Sequence, residues 1–157
     1  MQKITTYLWY DNKAEEAAVF YASIFKNSRV LEVNRYGDGA PMPAGTAMTV
    51  RFELDGQEFI ALNGGPHFKF NEAISLYVDC EDQGEVDYFW DLLVDGGEPS
   101  QCGWLKDRYG LSWQIIPREL PPLLFDPDPE KAQRATQAMF TMTKIDIEAL
   151  QRAHAGS

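Results

Sequence analysis

Residues 4–10 alternate β-branched and aromatic side chains with polar ones, a period of two that predicts a strand, and Asp11-Asn12 is its stop signal. The period then changes. Ala17, Phe20, Tyr21, Ile24 and Phe25 recur at helical spacing, which predicts an amphipathic helix over 14–25 with one buried face. Asn27-Ser28 breaks that helix. Residues 29–36 read as a second strand, 46–54 as a third, and Asp55-Gly56 as a hairpin turn into a fourth over 58–62. The glycines and prolines of 37–45 make the connection between the second and third strands a loop, either a solvent-exposed turn or a place where a substrate enters. The first half therefore reads βαβββ.

The second half repeats the plan. Residues 73–78 form a strand, 83–94 a helix that buries Val86, Phe89, Trp90 and Leu93, and Gly96-Gly97 ends that helix. Two more strands follow over 101–105 and 111–116. Superposing Thr6 on Ser75 also places Leu8 on Tyr77, Glu16 on Glu85, Phe20 on Phe89, Tyr21 on Trp90 and Ile24 on Leu93. Two copies of one supersecondary unit predict an α+β fold whose sheets pair around a cleft. In the stretch 104–117 a tight turn at 107–110 joins two strands, with Trp113 and Ile115 on one face of the second and Gln114 on the other. One polar side chain projecting from an apolar strand beside aromatic neighbours is how a pocket is lined.

The composition shifts after Pro117. Pro121-Pro122 and 126–129 read as a stiff linker; Asp128 then caps a helix, with Pro129 at its first position, and Asp146 caps a shorter one. The apolar side formed by Ala135, Met139, Met142, Ile147 and Leu150 needs a partner surface, either the barrel exterior or a second subunit. The expected organisation is one domain over 1–120, with modules at 1–66 and 71–118, and a helical extension over 121–157.

Charge narrows the function. A net charge of −10 over 157 residues, with no clustered basic face, argues against a nucleic-acid partner. No apolar run approaches the ~20 residues a membrane helix needs, and the first residues lead into a strand without a signal-peptide layout. A cytoplasmic protein without a membrane partner is expected. Cys80 and Cys102 lack the CxxC spacing of a zinc site and read as buried thiols. Gly64-Gly65 permits a close backbone approach but belongs to no phosphate-binding motif. His67 is the candidate general base or single metal ligand, weighed against a surface or packing role; His154 lies near the end of the sequence. Glu15, Glu16, Glu81, Asp82 and Glu85 open helices, where carboxylates favour the dipole.

The βαβββ repeat with DRYGLSWQII resembles the vicinal oxygen chelate superfamily of glyoxalase and extradiol dioxygenase relatives. The segments ITTYLWYDNKAEEAAVFYASIF, ALNGGPHFKF, CGWLKDRYGLSWQIIP and DPDPEKAQRATQAM are similar to its PhnB-like branch, whose members often carry a 3-demethylubiquinone-9 3-methyltransferase label. The resemblance implies two βαβββ modules paired into a glyoxalase-like barrel, commonly a homodimer, with the site in the inter-module cleft. It also implies that a catalytic divalent metal, where present, sits on the first and last strand of each module. Those positions fall on Thr6, Ser75, Gln114 and near Asn63. Hydroxyls and neutral amides are poor ligands for a dication but good partners for a polar organic molecule. The expected reading is a protein of unknown function that binds a small organic molecule without a catalytic metal or other cofactor. Thr6, Asn63, Ser75 and Gln114 are its polar contacts, and Trp9, Trp104 and Trp113 its aromatic ones. A metal-dependent isomerase, lyase or oxygenase and a structural dimer with a filled cleft are the alternatives. Methyl transfer is not expected, because no Gly-rich strand-to-helix turn offers a nucleotide cofactor a seat.

Overall fold

A computed structural model describes residues 2–157. The chain divides into two compact units, the first ending at Phe70 and the second spanning Asn71–Ser157. In the first, β1 (Thr6–Tyr10), α1 (Ala14–Ile24), β2 (Arg29–Arg35), β3 (Ala47–Leu54) and β4 (Gln57–Asn63) form a sheet of order β1-β4-β3-β2. β1 runs parallel to β4 and the other pairs are antiparallel. Asp55 and Gly56 both take positive φ, as a two-residue hairpin with the sheet's right-handed twist requires. Leu8, Tyr10, Phe52, Phe59 and Ala61 share one face of the pleat and are buried with Ala17, Ala18 and Tyr21 of α1. The two tyrosine hydroxyls, Tyr10 and Tyr21, meet at 3.1 Å, so each polar tip has a partner inside the core.

The second unit has β5 (Ser75–Cys80), α2 (Gln83–Val94), β6 (Glu98–Pro99), β7 (Trp104–Lys106) and β8 (Ser112–Pro117), in sheet order β5-β8-β7-β6. The mixed topology is the same: β5 is parallel to β8, and β7 antiparallel to β6 and β8. Leu105, Trp113, Ile115 and Cys80 are buried on one side of this sheet together with Val86, Trp90 and Leu93 of α2. α2 begins with a reciprocal cap. Asp82 accepts from the Glu85 N–H, and Glu85 reaches back to accept from the Glu81 N–H.

The C-terminal residues belong to this second unit. Pro121 and Pro122, expected as a stiff linker, lie instead in a short helix, α3 (Leu120–Leu124), at first-turn positions where no intrahelical N–H is needed. α4 (Pro129–Phe140) and α5 (Ile147–Ala155) follow, capped by Asp128 and Asp146 as the sequence predicts. Their apolar sides close on the end of β8: Ile116, Leu120, Ile145 and Leu150 form a buried cluster flanked by Leu123, Leu124, Met139 and Met142. The partner surface those helices need is therefore their own unit. Among the described residues no helix is long and apolar enough to cross a membrane.

Candidate functional site

The pleat of β8 decides which side chains of the second unit are available for chemistry. Trp113 and Ile115 point into the core with 2% exposure or less, and Gln114 faces the other way. Across the sheet, Gln114 is paired in register with Tyr77 of β5 on one side and Trp104 of β7 on the other. Three strands thus deliver a continuous row, Tyr77, Gln114 and Trp104, on one face. Gln114 Nε2 donates to Ser75 Oγ at 2.9 Å, which fixes the amide above the sheet. The row forms the floor of an open groove of about 520 Å³. Cys102, Gln101 and Ile116 continue the floor, and Leu120, Pro121, Leu124, Phe125, Met139 and Phe140 of the C-terminal helical segment form the wall. A volume of that order, apolar with a few polar groups, is what small-molecule sites use.

No side chain lining the groove carries a formal charge. Desolvation, reinforced by the Asp79 carboxylate and then Cys80, pushes the Tyr77 hydroxyl above the usual phenol range, so it remains a neutral donor and acceptor at physiological pH. Burial likewise pushes the Cys102 thiol up. Cys80, on the core face, is pushed up to about 12 by burial and by Glu85 and Asp79. Neither thiol is an activated nucleophile, and both are free of disulfides. Ser112, in register with Ser75 and Lys106 on the groove face, has a buried Oγ without a hydrogen-bond partner.

The remaining expected site residues are placed as follows. Ser75, Gln114 and Trp104 are brought together, while Trp113 lies on the opposite face with its indole N–H donated to Asp107 Oδ2 at 2.9 Å. Asn63 is 2% exposed, and its amide is taken at both ends: Oδ1 accepts from the Ala14 N–H, and Nδ2 donates to the Ala47 carbonyl, both at 2.9 Å. It caps α1, whose own N-cap residue, Lys13, supplies no side-chain bond. Thr6 shares the pleat face of Leu8 and Tyr10 and so points toward α1.

The reason is one residue of connecting chain. Asp11, Asn12 and Lys13 separate β1 from α1, but only Glu81 and Asp82 separate β5 from α2. The superposition that aligns the helices is therefore one residue out along the first strands, and a one-residue slip exchanges the faces of a strand. Structurally, Tyr7 corresponds to Tyr77, and Ile60, the register partner of Tyr7, corresponds to Gln114.

Trp9 faces the same side as Tyr7. Its indole N–H donates to the Gly65 carbonyl at 2.9 Å, and its ring meets Phe68 edge-on at 4.9 Å. A Cβ on Gly64 would overlap that ring. The close backbone approach that Gly64-Gly65 permits is thus an approach to Trp9. His67 lies exposed on the same loop.

A divalent cation does not fit these open faces. The first and last strands offer Tyr7 and Ile60 in one unit and Ser75, Tyr77 and Gln114 in the other, and the carboxylates on the same faces, Glu58 and Asp79, are each paired with an arginine, Arg51 and Arg118, so neither is left to gather with other donors around a double charge. Among the described residues no three His, Cys, Asp or Glu side chains gather as a metal site would need. Sequence reasoning missed Tyr77 as a lining residue, the groove wall from α3 and α4, and Asp107. The signal for the wall was the apolar side of the C-terminal helices, which required a partner without saying which.

Residues 2–116 match the family described as 3-demethylubiquinone-9 3-methyltransferase. A PhnB protein from Bacillus cereus, described in the same terms, is 39% identical; the match covers 72% of this chain and 97% of that one, with a TM-score of 0.68. A protein from Pseudomonas aeruginosa is 19% identical over 72% of this chain and 95% of its own, with a TM-score of 0.60. A glyoxalase-related enzyme from Fulvimarina pelagi is 11% identical, covering 71% and 86%, with a TM-score of 0.45. No curated protein matches this chain. The family match ends at Ile116, before α3 begins.

Proposed function

We propose, from the premise that this chain belongs to the PhnB-like 3-demethylubiquinone-9 3-methyltransferase family and has its glyoxalase-like fold, that it binds a small organic molecule on the groove face of the second unit. The observation that carries this reading is the Tyr77, Gln114 and Trp104 row beneath an open apolar groove. Gln114 supplies orientation through its free carbonyl oxygen and second amide hydrogen, while Tyr77 and Trp104 supply contact area. Binding proceeds without a catalytic metal or nucleotide cofactor, because the donor set suits an organic ligand better than a dication. Methyl transfer is not part of the reading: neither strand-to-helix connection, Asp11 to Lys13 or Glu81 to Asp82, contains a glycine.

The setting we propose is a cytoplasmic homodimer without nucleic-acid or membrane partners. Two unpaired cysteines suit a reducing compartment, and exposed Ile4, Val19 and Ile74 give a second copy apolar surface to cover. The binding reading is tested by screening a small-molecule library for thermal stabilisation of the wild type, Gln114→Ala and Trp104→Ala. Hits should stabilise the wild type, with the shift reduced in both variants. Hits that stabilise all three proteins equally would place binding elsewhere and end this reading.

A further inference from the structure

We infer that the ligand of this groove is an uncharged, planar, two- to three-ring molecule bearing one carbonyl or amide group, an inference that rests on the groove-binding reading above. Tyr77 and Trp104 stand on strands either side of β8, so two inter-strand spacings, about 9–10 Å, separate their stems, with Gln114 between them. A fused bicyclic or tricyclic ring laid along that row touches both aromatic residues and keeps a polar substituent over the Gln114 amide. Met139 and Phe140 of α4, with Leu124 and Phe125 at the end of α3, face such a ring from the wall. A flat ring gains from stacking or edge contacts with Tyr77 and Trp104 beyond the area it buries, and the Met139 thioether adapts to a ring edge.

Charge restricts the ligand further. Every side chain lining the groove is neutral, and the nearby Tyr77 and Cys102 are held in their protonated forms. An ion entering would shed water with no opposite charge on the lining to replace it, and the Asp79 carboxylate that acts on Tyr77 from beside the groove is already paired with Arg118. An anion is further disfavoured by the net charge of −10, whereas a cation is drawn toward the surface by the same field. A cation that nevertheless binds more weakly than its neutral counterpart isolates the groove's own preference from the field of the whole molecule.

Four bicyclic probes of like size separate these contributions: three flat ones, 1-naphthamide, 1-naphthoate and 1-naphthylmethylammonium, and the puckered decahydronaphthalene-1-carboxamide, titrated into the 157-residue chain by isothermal calorimetry. We expect 1-naphthamide to bind at least about ten-fold more tightly than either ion, given the cost of desolvating an unpaired charge. It should also bind more tightly than the saturated amide. Gln114→Ala and Phe140→Ala should each weaken it several-fold; Phe140 is 63% exposed, so its truncation leaves the fold intact. An ion or the saturated amide binding as tightly as 1-naphthamide, with Phe140→Ala still weakening it, overturns the ligand class and leaves the groove reading standing. Binding of none of the four, or binding indifferent to both variants, overturns both. A second copy seated on the groove is the competing occupant. A mass by light scattering that falls from dimer to monomer in Phe125→Asp, with no 1-naphthamide binding to the wild type, likewise overturns the inference.

Discussion

Asp107 sits in the bend between β7 and β8 with 2% exposure, and its two oxygens gather three donors. Oδ1 accepts from the backbone N–H groups of Tyr109 and Leu111, and Oδ2 from the Trp113 indole at 2.9 Å. A buried carboxylate that satisfies three N–H groups holds the turn in one conformation and fixes the Trp113 ring in the core, which in turn fixes Gln114 on the opposite side. Truncation removes the acceptor shared by two buried donors, the Leu111 N–H and the Trp113 indole, and by the part-buried Tyr109 N–H. Asp107→Ala should therefore lower the unfolding free energy by about 3 kcal/mol, read from urea midpoints at unchanged slope. A change within experimental error would mean that water replaces the carboxylate. The opposite facing of Trp113 and Gln114 was legible because strand alternation is a property of the backbone alone. The role of Asp107 was not, since a carboxylate between two strands looks like any solvated turn, and what buries it is a ring six positions ahead. Asn63 was illegible for a similar reason: the orphan N–H it caps belongs to a helix that begins forty-nine positions earlier.

At the scale of elements, type and order followed from period, Gly and Asp-Gly signals for all but β6 and α3, and the extents of α1, α2, β3 and β4 differ from expectation by at most one residue at either end; β6, two residues long and containing Pro99, is too short to show a period. What periodicity could not supply was coupling between elements distant in sequence. Gln83, at the start of α2, is the clearest instance. Its Nε2 donates to the Ile145 carbonyl at 2.9 Å and its Oε1 accepts from the Ile147 N–H at 2.8 Å, so one amide clamps the entry of α5 to α2. The same Nε2 donates to Asp87, whose carboxyl is held below the usual range by Gln83 and by Lys144. Gln83→Ala removes three part-buried hydrogen bonds, two of them to the entry of α5; it should cost about 1–3 kcal/mol and should speed amide exchange in α5 more than in β8. Equal acceleration in both would show that Gln83 supports the unit as a whole and does not act as a local clamp. The sequence signal for α3 was ambiguous in itself, because two adjacent prolines suit an extended linker and the first turn of a helix equally well.

For the whole molecule, the repeat predicted two units of like topology, and the chain folds as two such units with strand orders that correspond one to one. The C-terminal segment was the part whose destination the sequence left open, and it joins the second unit through the Ile116, Leu120, Ile145 and Leu150 cluster. Ending the chain after Pro122 removes two of those four residues and the Gln83 contacts together. Hydrogen exchange followed by mass spectrometry should then show lost protection in β7 and β8, with β3 and β4 keeping theirs. Protection unchanged in β8 would mean that the helices are dispensable to the sheet they cover.

The unequal connections ahead of α1 and α2 have a consequence at the level of the gene. Their difference is a single codon. Gain or loss of one codon there, with strand and helix both kept in place, turns the first strand half a revolution relative to its helix. The two halves of the coding sequence can therefore align without a gap through their helices while every residue of the paired first strands is matched to one that faces the other way. Thr6 aligned with Ser75 is such a mismatch, and Tyr7 with Tyr77 is the pair that occupies the same position in space within each unit.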